Sequence, residues 1–185
     1  MSIIKNEKQI TDDYPKLFPV KIVRGRSFSI GIECGPGWYD IISLMCGTIQ
    51  NYIDRTRKNH AQTLAYNRAL KQAVAGNSRN LRLRYKKLNY SEEKITSLVN
   101  DDISANRERP IWQVAPKQVV FTQIKEKFGT LRVYTNATDS YCDGVIAMAE
   151  SMSAHTCEVC SRPGKQTNTG WIKTLCDECK GQTNK

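Results

Sequence analysis

Residues 157–179 read CEVCSRPGKQTNTGWIKTLCDEC, a stretch that opens on Cys157-Glu-Val-Cys160 and closes on Cys176-Asp-Glu-Cys179. Fifteen residues separate the two Cys-x-x-Cys pairs. Each pair is typical of a knuckle that presents two thiolates, and four thiolates complete the tetrahedral shell of a zinc ion. The spacing therefore predicts a C-terminal zinc ribbon with Zn2+ as its cofactor. In one departure from many knuckles, Ser161 and Lys180 stand directly after the pairs, where Gly is common.

The alternative to a metal is a pair of disulfides, which requires an oxidising compartment. The N-terminal stretch MSIIKNEKQITDDYPK lacks the apolar core of a signal peptide. No stretch approaches the roughly 18 apolar residues of a membrane span. We therefore expect a soluble cytoplasmic protein without a membrane partner. In that setting Cys34, Cys46 and Cys142 are expected to be reduced and packed.

Positive charge is concentrated in the middle of the chain. The 185 residues carry a net charge of +10, and the window Asn51–Tyr90 holds ten Lys or Arg against Asp54 alone. Such a window predicts a surface that binds polyanions with an affinity that falls as the salt concentration rises. A solvated helix face explains the same charges equally well. The anion-binding candidates are Arg55, Arg57, Lys58, Arg82, Arg84 and Lys86 in the window, and Lys125, Lys127, Arg132 and Trp38 outside it.

The most regular apolar pattern follows Gly37. Trp38, Ile41, Ile42, Met45, Ile49, Tyr52 and Ile53 recur at the spacing of one buried helix face. Without Gly or Pro from Thr48 to Ala75, the helix either continues or bends near Asn59–His60, and Gly76-Asn77-Ser78 ends it. Alanines at 61, 65, 69 and 73 predict close packing of another helix, within the chain or at a homodimer seam.

The remaining segments predict a small sheet and short helices. We expect an irregular arm, then a strand over Phe18–Val23, and a helix capped by Ser91 that ends near Ile103. The segment Asn80–Tyr90 is ambiguous between strand and helix, and its alternation favours a strand with one basic face. A β-hairpin is expected over Lys117–Thr135, with its turn at Lys125–Gly129, before a helix that starts at Asp139 or Ser140.

Together these elements predict an α+β fold. A long amphipathic helix and a second helix pack on a small antiparallel sheet, the β-hairpin, and the zinc ribbon follows. The expected domains are a body over residues 1–154, with a basic helical insertion at about 55–110, and a ribbon module over 155–185.

Three further motifs each have two interpretations. Gly35-Pro36-Gly37-Trp38 is either an anion seat or, as we favour, a turn with a core-packed Trp38. Trp171 is expected to pack the ribbon against the body, with base stacking as the alternative. The basic hairpin residues and Tyr134 form either a face that binds a nucleotide or nucleic acid or, as we favour, a solvated edge. With two histidines and no catalytic motif, we expect no enzyme activity.

Three strings resemble a family of small tailed-bacteriophage proteins with a C-terminal four-Cys zinc ribbon. They are Cys34-Gly-Pro-Gly-Trp-Tyr-Asp-Ile-Ile, Gln123-Ile-Lys-Glu-Lys-Phe-Gly-Thr-Leu-Arg132, and the ribbon itself. The resemblance covers the opening helix and residues 117–180, and it implies a phage accessory protein made in the bacterial cytoplasm. Such proteins often serve host takeover by binding nucleic acid or polymerase, or they block immunity.

The function expected from these observations is non-catalytic binding of an anionic partner, with nucleic acid first. The alternative is an anti-defence protein that captures a signalling nucleotide or masks a host protein. Salt dependence separates these alternatives, because a polyanion releases many counterions on binding and a single nucleotide releases few.

Overall fold

A computed structural model describes residues 6–24, 26–111, 114–167 and 170–182. The helices are α1 (Glu7–Asp13), α2 (Tyr39–Val74), α3 (Arg79–Lys86), α4 (Glu92–Ala105), α5 (Ser140–Ser153) and α6 (Asp177–Gln182). The strands are β1 (Lys21–Val23), β2 (Arg26–Phe28), β3 (Ile32–Glu33), β4 (Phe121–Lys127), β5 (Thr130–Thr135), β6 (Lys165–Gln166) and β7 (Thr174–Leu175). The fold class is α+β, as predicted. None of the described helices has both the length and the apolar character needed to cross a membrane.

The described residues divide into two compact units. The first unit contains the residues up to Ile53 and those from Lys117 onward, including the four-Cys segment. The second unit contains Asp54–Pro116. Helix α2 runs without interruption through Asn59 and His60 and contributes residues to both units.

The sheet of the first unit has the strand order β3-β4-β5. The predicted hairpin is confirmed, but its first strand begins at Phe121 rather than at Lys117. The predicted turn at Lys125–Gly129 is too long, because Lys125 and Lys127 still pair within β4 and the turn consists of Phe128 and Gly129, whose φ angles are 52° and 74°. Two successive left-handed residues give the twist that suits a two-residue hairpin turn. The sheet is mixed rather than purely antiparallel, because β3 pairs parallel to β4.

The predicted face of α2 forms the main core. Trp38, Ile42, Ile49 and Ile53 are 0 % exposed, and Ile41 and Met45 are also buried. They share one apolar cluster with Phe121, Ile124 and Leu131 of the hairpin and with Val145, Ile146 and Ala149 of α5. Burial of this stripe explains why a helix of ordinary propensity is stable here.

Helix α5 also satisfies the free edge of β5. The Leu131 N–H donates to Ser153 Oγ at 2.8 Å, and the Val133 N–H donates to Glu150 Oε1 at 2.9 Å. An edge strand otherwise presents unpaired N–H groups that attract another strand. Asp139 caps α5 by accepting from the Cys142 N–H, which confirms the predicted start of this helix.

The N-terminal segment differs from its prediction. The expected irregular arm contains α1, which Asn6 and Gln9 cap reciprocally. This Asn-x-x-Gln spacing is a recognised helix signal. The expected strand over Phe18–Val23 is wrong before Lys21, because the N–H groups of Leu17 and Phe18 both bond the Tyr14 carbonyl in a turn. Phe18 is buried in the core, with its ring centroid 5.1 Å from that of Phe121.

The second unit packs the C-terminal part of α2 against α3 and α4. Its apolar cluster contains Tyr66, Ala69, Leu70, Ala73, Leu81, Ile95 and Val99. The alanine row is therefore half confirmed within the chain, because Ala61 and Ala65 are exposed. The predicted Ser91 cap of α4 is confirmed, because the Ser91 side chain accepts a hydrogen bond from the Lys94 N–H.

The strand predicted within Asn80–Tyr90 is wrong, since this segment contains helix α3. Leu81 and Tyr85 are four residues apart and face the apolar cluster, whereas Leu83 is 47 % exposed. The alternating pattern therefore did not reflect a buried strand face. Before α3, Gly76 has a φ of 98°, and the N–H groups of Gly76 and Asn77 bond to Ala73 and Gln72, which ends α2 as predicted.

Candidate metal centre and basic surfaces

The four predicted thiols converge. Their Sγ atoms all lie within 4.8 Å of one another. The Cys160 Sγ lies 3.5 Å from that of Cys176 and 3.6 Å from that of Cys179. A tetrahedral zinc with Zn–S bonds of about 2.3 Å holds its sulfurs about 3.8 Å apart, whereas a disulfide requires about 2.05 Å. The arrangement therefore fits a four-thiolate metal site and excludes disulfides among these cysteines.

The first knuckle closes through backbone hydrogen bonds. The Cys157 N–H donates to the Arg162 carbonyl at 2.7 Å, and the Ser161 N–H donates to the Cys157 carbonyl at 3.0 Å. Ser161 has a φ of 63°, the conformation that Gly adopts without strain. Ser161 therefore adopts the left-handed conformation that a Gly would adopt freely, at a conformational cost of about 1–2 kcal/mol.

The second pair stands at the start of α6, which explains why Lys180 needs no Gly. Cys179 and Lys180 are helical, and the Lys180 N–H donates to the Cys176 carbonyl at 3.0 Å. Cys157 and Cys179 are buried, and Cys160 and Cys176 are partly buried. The site thus has a buried side and a partly open side.

Arg162 sets the electrostatics of the open side. Its Nε lies 3.4 Å from Cys160 Sγ, while its two terminal nitrogens each bond a Glu178 oxygen at 2.5 Å. The hydrogen bond from Arg162 lowers the pKa of Cys160 to about 6. Hydrogen bonds with Cys176 and Cys160 raise the pKa of Cys179 to about 12. A metal that binds all four sulfurs would therefore displace at least the Cys179 proton.

The Gly35-Pro36-Gly37-Trp38 motif forms a seat for the first knuckle. The N–H groups of Gly35 and Gly37 donate to the Glu158 carboxylate and carbonyl at 2.8 and 2.7 Å. The Trp38 indole N–H donates to the Thr156 carbonyl at 2.7 Å. Trp38 is fully buried, so its ring is closed to an anion from solvent, and the turn interpretation describes this motif.

Close approach explains both glycines of this seat. A Cβ on Gly37 would lie 2.2 Å from the Cys157 carbonyl oxygen, and one on Gly35 would lie 2.4 Å from that of Glu158. The role of Glu158 was missed in the sequence. The signal available was a pair of glycines around a proline, which is typical of tight backbone packing.

The ribbon has a second attachment at the hairpin turn. Thr174 Oγ1 donates to the Gly129 carbonyl at 2.5 Å, and Gln166 Nε2 donates to the Phe128 carbonyl at 3.2 Å. Trp171 does not make this attachment. It is 77 % exposed, so the expectation that it packs the ribbon against the body is wrong.

The predicted cations of the second unit occupy different environments. Arg82 and Lys86 approach the Glu92 carboxylate at 3.0 and 3.6 Å. Arg84 instead donates to the Gln62 carbonyl at 3.3 Å. Arg84 therefore lies apart from Arg82 and Lys86, because residues two apart on a helix point in different directions. Arg57 Nε bonds the Pro116 carbonyl, and Arg55 and Lys58 are exposed on α2.

A different set of cations lines a groove between α2 and α3. The groove has a volume of ≈ 340 Å³, and its charged residues are Arg68, Arg84 and Lys87. Among the described residues, no acid lines it. A second cavity of ≈ 450 Å³ shares Arg84 and Lys87 and adds Arg109, whose guanidinium lies 3.9 Å from the centre of the Tyr66 ring. We call Arg68, Arg84, Lys87 and Arg109 the basic groove; of these, only Arg84 was a sequence candidate.

The three hairpin cations lie on one strand pair. Lys125 and Arg132 are register partners across β4 and β5, and Lys127 precedes the turn. The Lys125 Nζ lies 5.6 Å from the centre of the Tyr134 ring, and the Lys127 Nζ lies 5.3 Å from that of Phe128. The sequence placed these residues together correctly.

Comparison of the chain with protein-family models, with curated proteins and with solved structures gave no match. These comparisons therefore do not show a family or a phage origin. Function is therefore inferred from the residues of the sites themselves.

Proposed function

We propose that this protein is a non-catalytic nucleic-acid-binding protein whose fold is held by one structural zinc ion. The observation that carries the proposal is the basic groove. Its arginines and lysine line two cavities that share Arg84 and Lys87, and neither cavity has an acidic side chain among its described lining residues. Of the remaining sequence candidates in this unit, Arg82 and Lys86 approach the Glu92 carboxylate, which offsets their charge.

The metal part of the proposal follows from the donor set. Four thiolates fill a tetrahedral shell and leave no position for a substrate or water, which is typical of a structural site. Thiolate-only tetrahedral sites hold zinc or iron. Elemental analysis of purified protein should find one zinc per chain, and this zinc should be absent from a Cys157→Ser, Cys160→Ser double variant. Iron in place of zinc, or folded protein without metal, would contradict this part.

The nucleic-acid part follows from charge and its placement. The second unit carries 13 Lys or Arg against 6 Asp or Glu, so it holds +7 of the net +10. Cations that replace condensed counterions on phosphates give binding that is strong at low salt and steeply salt-dependent. Tyr66 and Tyr85 line the same cavity as Arg109, but Tyr66 is buried beneath the Arg109 guanidinium and the Tyr85 hydroxyl donates to Asp102, so the proposal rests on the cations.

The test is a titration of DNA and RNA duplexes at several salt concentrations. An Arg68→Gln, Lys87→Gln variant should bind more weakly. The magnitude of its log–log salt slope should fall by roughly 0.9 for each phosphate that the variant no longer neutralises. The matched control is Lys71→Gln, Lys86→Gln, which removes the same charge from the same unit at residues paired with Glu108 and Glu92.

The two variants separate a local surface from general charge. Equal losses of affinity in both variants would contradict the groove, and no binding by wild type at low salt would contradict nucleic acid altogether. A shallow salt slope with tight binding of a mononucleotide would favour capture of a signalling nucleotide, the anti-defence alternative.

A further inference from the structure

The outer surface of the hairpin continues into the ribbon loop as a groove of ≈ 460 Å³. Lys125 and Lys127 line it from β4, Phe128 lines it from the turn, and Trp171 and Ile172 line it from the loop. These residues all belong to the first unit, so this surface is separate from the basic groove. We call it the aromatic groove.

The aromatic residues of this groove are open to solvent. Trp171 is 77 % exposed and Phe128 is 65 % exposed, while the adjoining Tyr134 is 43 % exposed. Exposed large rings beside one another are uncommon on a surface that has no partner. The expectation of a packing role for Trp171 has already failed, so its position requires another explanation.

The backbone holds Trp171 in a defined place. Thr167 Oγ1 donates to the Trp171 carbonyl at 3.3 Å and accepts from the Lys173 N–H at 3.0 Å. The Thr167 N–H donates to the Lys173 carbonyl at 2.8 Å. Thr167 thus bonds the backbone at Trp171 and at Lys173, and these bonds fix the position of Trp171 in the ribbon.

The charges beside the rings favour a polyanion. Lys125, Lys127 and Arg132 lie on the hairpin. Glu33 is the register partner of Lys125 on β3, so one acid faces this row. Glu126 also lines the groove, but one of its oxygens accepts from the Gly129 N–H at 2.7 Å. The surface retains more cations than acids next to exposed rings.

We propose that the aromatic groove binds single-stranded nucleic acid, with unpaired bases stacked on Trp171 and Phe128 and phosphates held by Lys125 and Lys127. Bases in a duplex are stacked on each other and cannot reach these rings, whereas unpaired bases stack on aromatic side chains with little sequence preference. The proposal deepens the preceding one, and it rests on it only in taking nucleic acid as the ligand class.

The experiment compares an oligothymidine with a duplex of equal length, using the full chain with its metal. Trp171→Ala should weaken binding of the single strand about 5- to 150-fold, the range measured for removal of one stacking ring. Trp171→Phe should retain most of the affinity because it keeps a ring. Val159→Ala is the control, since Val159 is a ribbon residue that is 48 % exposed outside the groove.

Two further measurements separate stacking from charge. The duplex affinity of Trp171→Ala should differ from that of wild type by less than about twofold, because paired bases do not reach the ring. The Lys125→Gln, Lys127→Gln variant should reduce the magnitude of the single-strand salt slope by about 0.7 for each phosphate that it no longer neutralises.

Every outcome decides the proposal. Unchanged single-strand affinity in Trp171→Ala, an equal loss of affinity for duplex, or a failure of Trp171→Phe to retain affinity would overturn it. If Arg68→Gln, Lys87→Gln weakens duplex binding while Trp171→Ala changes nothing, only the aromatic groove is wrong. If Trp171→Ala acts on single strands while the Arg68 and Lys87 variant does not act, the basic groove is wrong and this proposal stands. If wild type binds neither nucleic acid, both fail, and a protein partner becomes the explanation for the exposed rings.

Discussion

Gly37 shows how one residue connects the sequence motif to the metal centre. It lies in the turn before α2, and its N–H bonds to Glu158 within the first knuckle. A side chain at this position collides with backbone rather than with a flexible side chain, so relaxation requires the knuckle to move. The metal centre is therefore positioned by the absence of a Cβ as much as by hydrogen bonds.

Gly37→Ala should destabilise the protein by at least about 1–3 kcal/mol, the usual cost of overpacking. It should also weaken zinc binding, because the knuckle that carries Cys157 must shift. Chemical denaturation and competition with a zinc indicator measure the two effects. The control is Gly144→Ala, where the added Cβ meets nothing within 4 Å on an exposed position of α5. This control should be stabilising by up to about 1 kcal/mol, so equal behaviour of the two variants would contradict the seat.

Asp139 connects α5 to α2. Its carboxylate accepts from the Cys142 N–H and from the Tyr52 hydroxyl, at 3.0 and 2.9 Å. Burial opposes ionisation of Asp139, but these hydrogen bonds outweigh burial and hold its pKa below the usual value of 3.8. A carboxyl with a lowered folded pKa stabilises the protein above its unfolded pKa, and this contribution disappears as the pH falls through the folded pKa.

Asp139→Asn should keep the helix cap and remove the titration. Asn is as good an N-cap as Asp. The free energy of unfolding near pH 7 should therefore fall by no more than about 1 kcal/mol, the amount by which a hydrogen bond to a charged group exceeds one between neutral groups. Below about pH 4 the difference between the variant and wild type should shrink, because the wild-type carboxyl then gains its proton. The measurement is the free energy of unfolding from neutral pH into the acid range, and a constant difference throughout would contradict the role of Asp139.

At the scale of elements, sequence patterns predicted the helices and strands whose formation depends on residues close together in the chain. The spacing of Trp38, Ile42 and Ile49 identified α2, and alternation across Gly129 identified the hairpin. The same alternation rule failed in α3. Over such a short segment, the same apolar pattern is compatible with a strand and with a helix that buries residues 81 and 85. Only packing against the apolar faces of α2 and α4 decides between the two structures. The two-residue strand β3 had no signal, because its pairing with β4 depends on residues far along the chain.

Ala69 tests the helix contact in the second unit. It is 4 % exposed within the apolar cluster of α2, α3 and α4. Ala69→Leu should therefore overpack the cluster and cost about 1–3 kcal/mol. Ala61→Leu is the control at an exposed position of the same row and helix, and it should change stability by less than about 0.5 kcal/mol. If both variants unfold at the same denaturant concentration as wild type, the buried half of the row does not make a close contact.

At the scale of the whole molecule, the sequence predicted that the four cysteines cluster but not what surrounds them. The four thiols follow from spacing alone, because each Cys-x-x-Cys pair is local. The bond from Gly35 to Glu158 joins residues 123 positions apart, and no pattern indicates it. The basic groove was missed for a related reason. Arg84 and Lys87 come together with Arg68 only when α3 is a helix and packs on α2.

These distant bonds make the metal centre part of the first unit rather than of an isolated ribbon. The Thr156 carbonyl accepts from the indole N–H of Trp38, which belongs to the main core. The Glu158 carbonyl accepts from the Gly37 N–H. Since metal binding and local folding are one event in small thiolate sites, removal of the metal should loosen the start of α2 as well as the cysteine loops.

Hydrogen exchange with and without a zinc chelator measures this effect. The amide of Gly37 should exchange at least about tenfold faster once the metal is removed, a change of about 1.4 kcal/mol in the opening free energy, together with the amides of Cys157 and Gly164 inside the ribbon. The amides of Ile95 and Val99 are internal controls, because both lie in helix α4 and their apolar cluster consists of second-unit residues alone. Faster exchange at Cys157 and Gly164 with no change at Gly37 would show that the ribbon folds around its metal independently, and the seat at the start of α2 would then be a contact without energetic consequence.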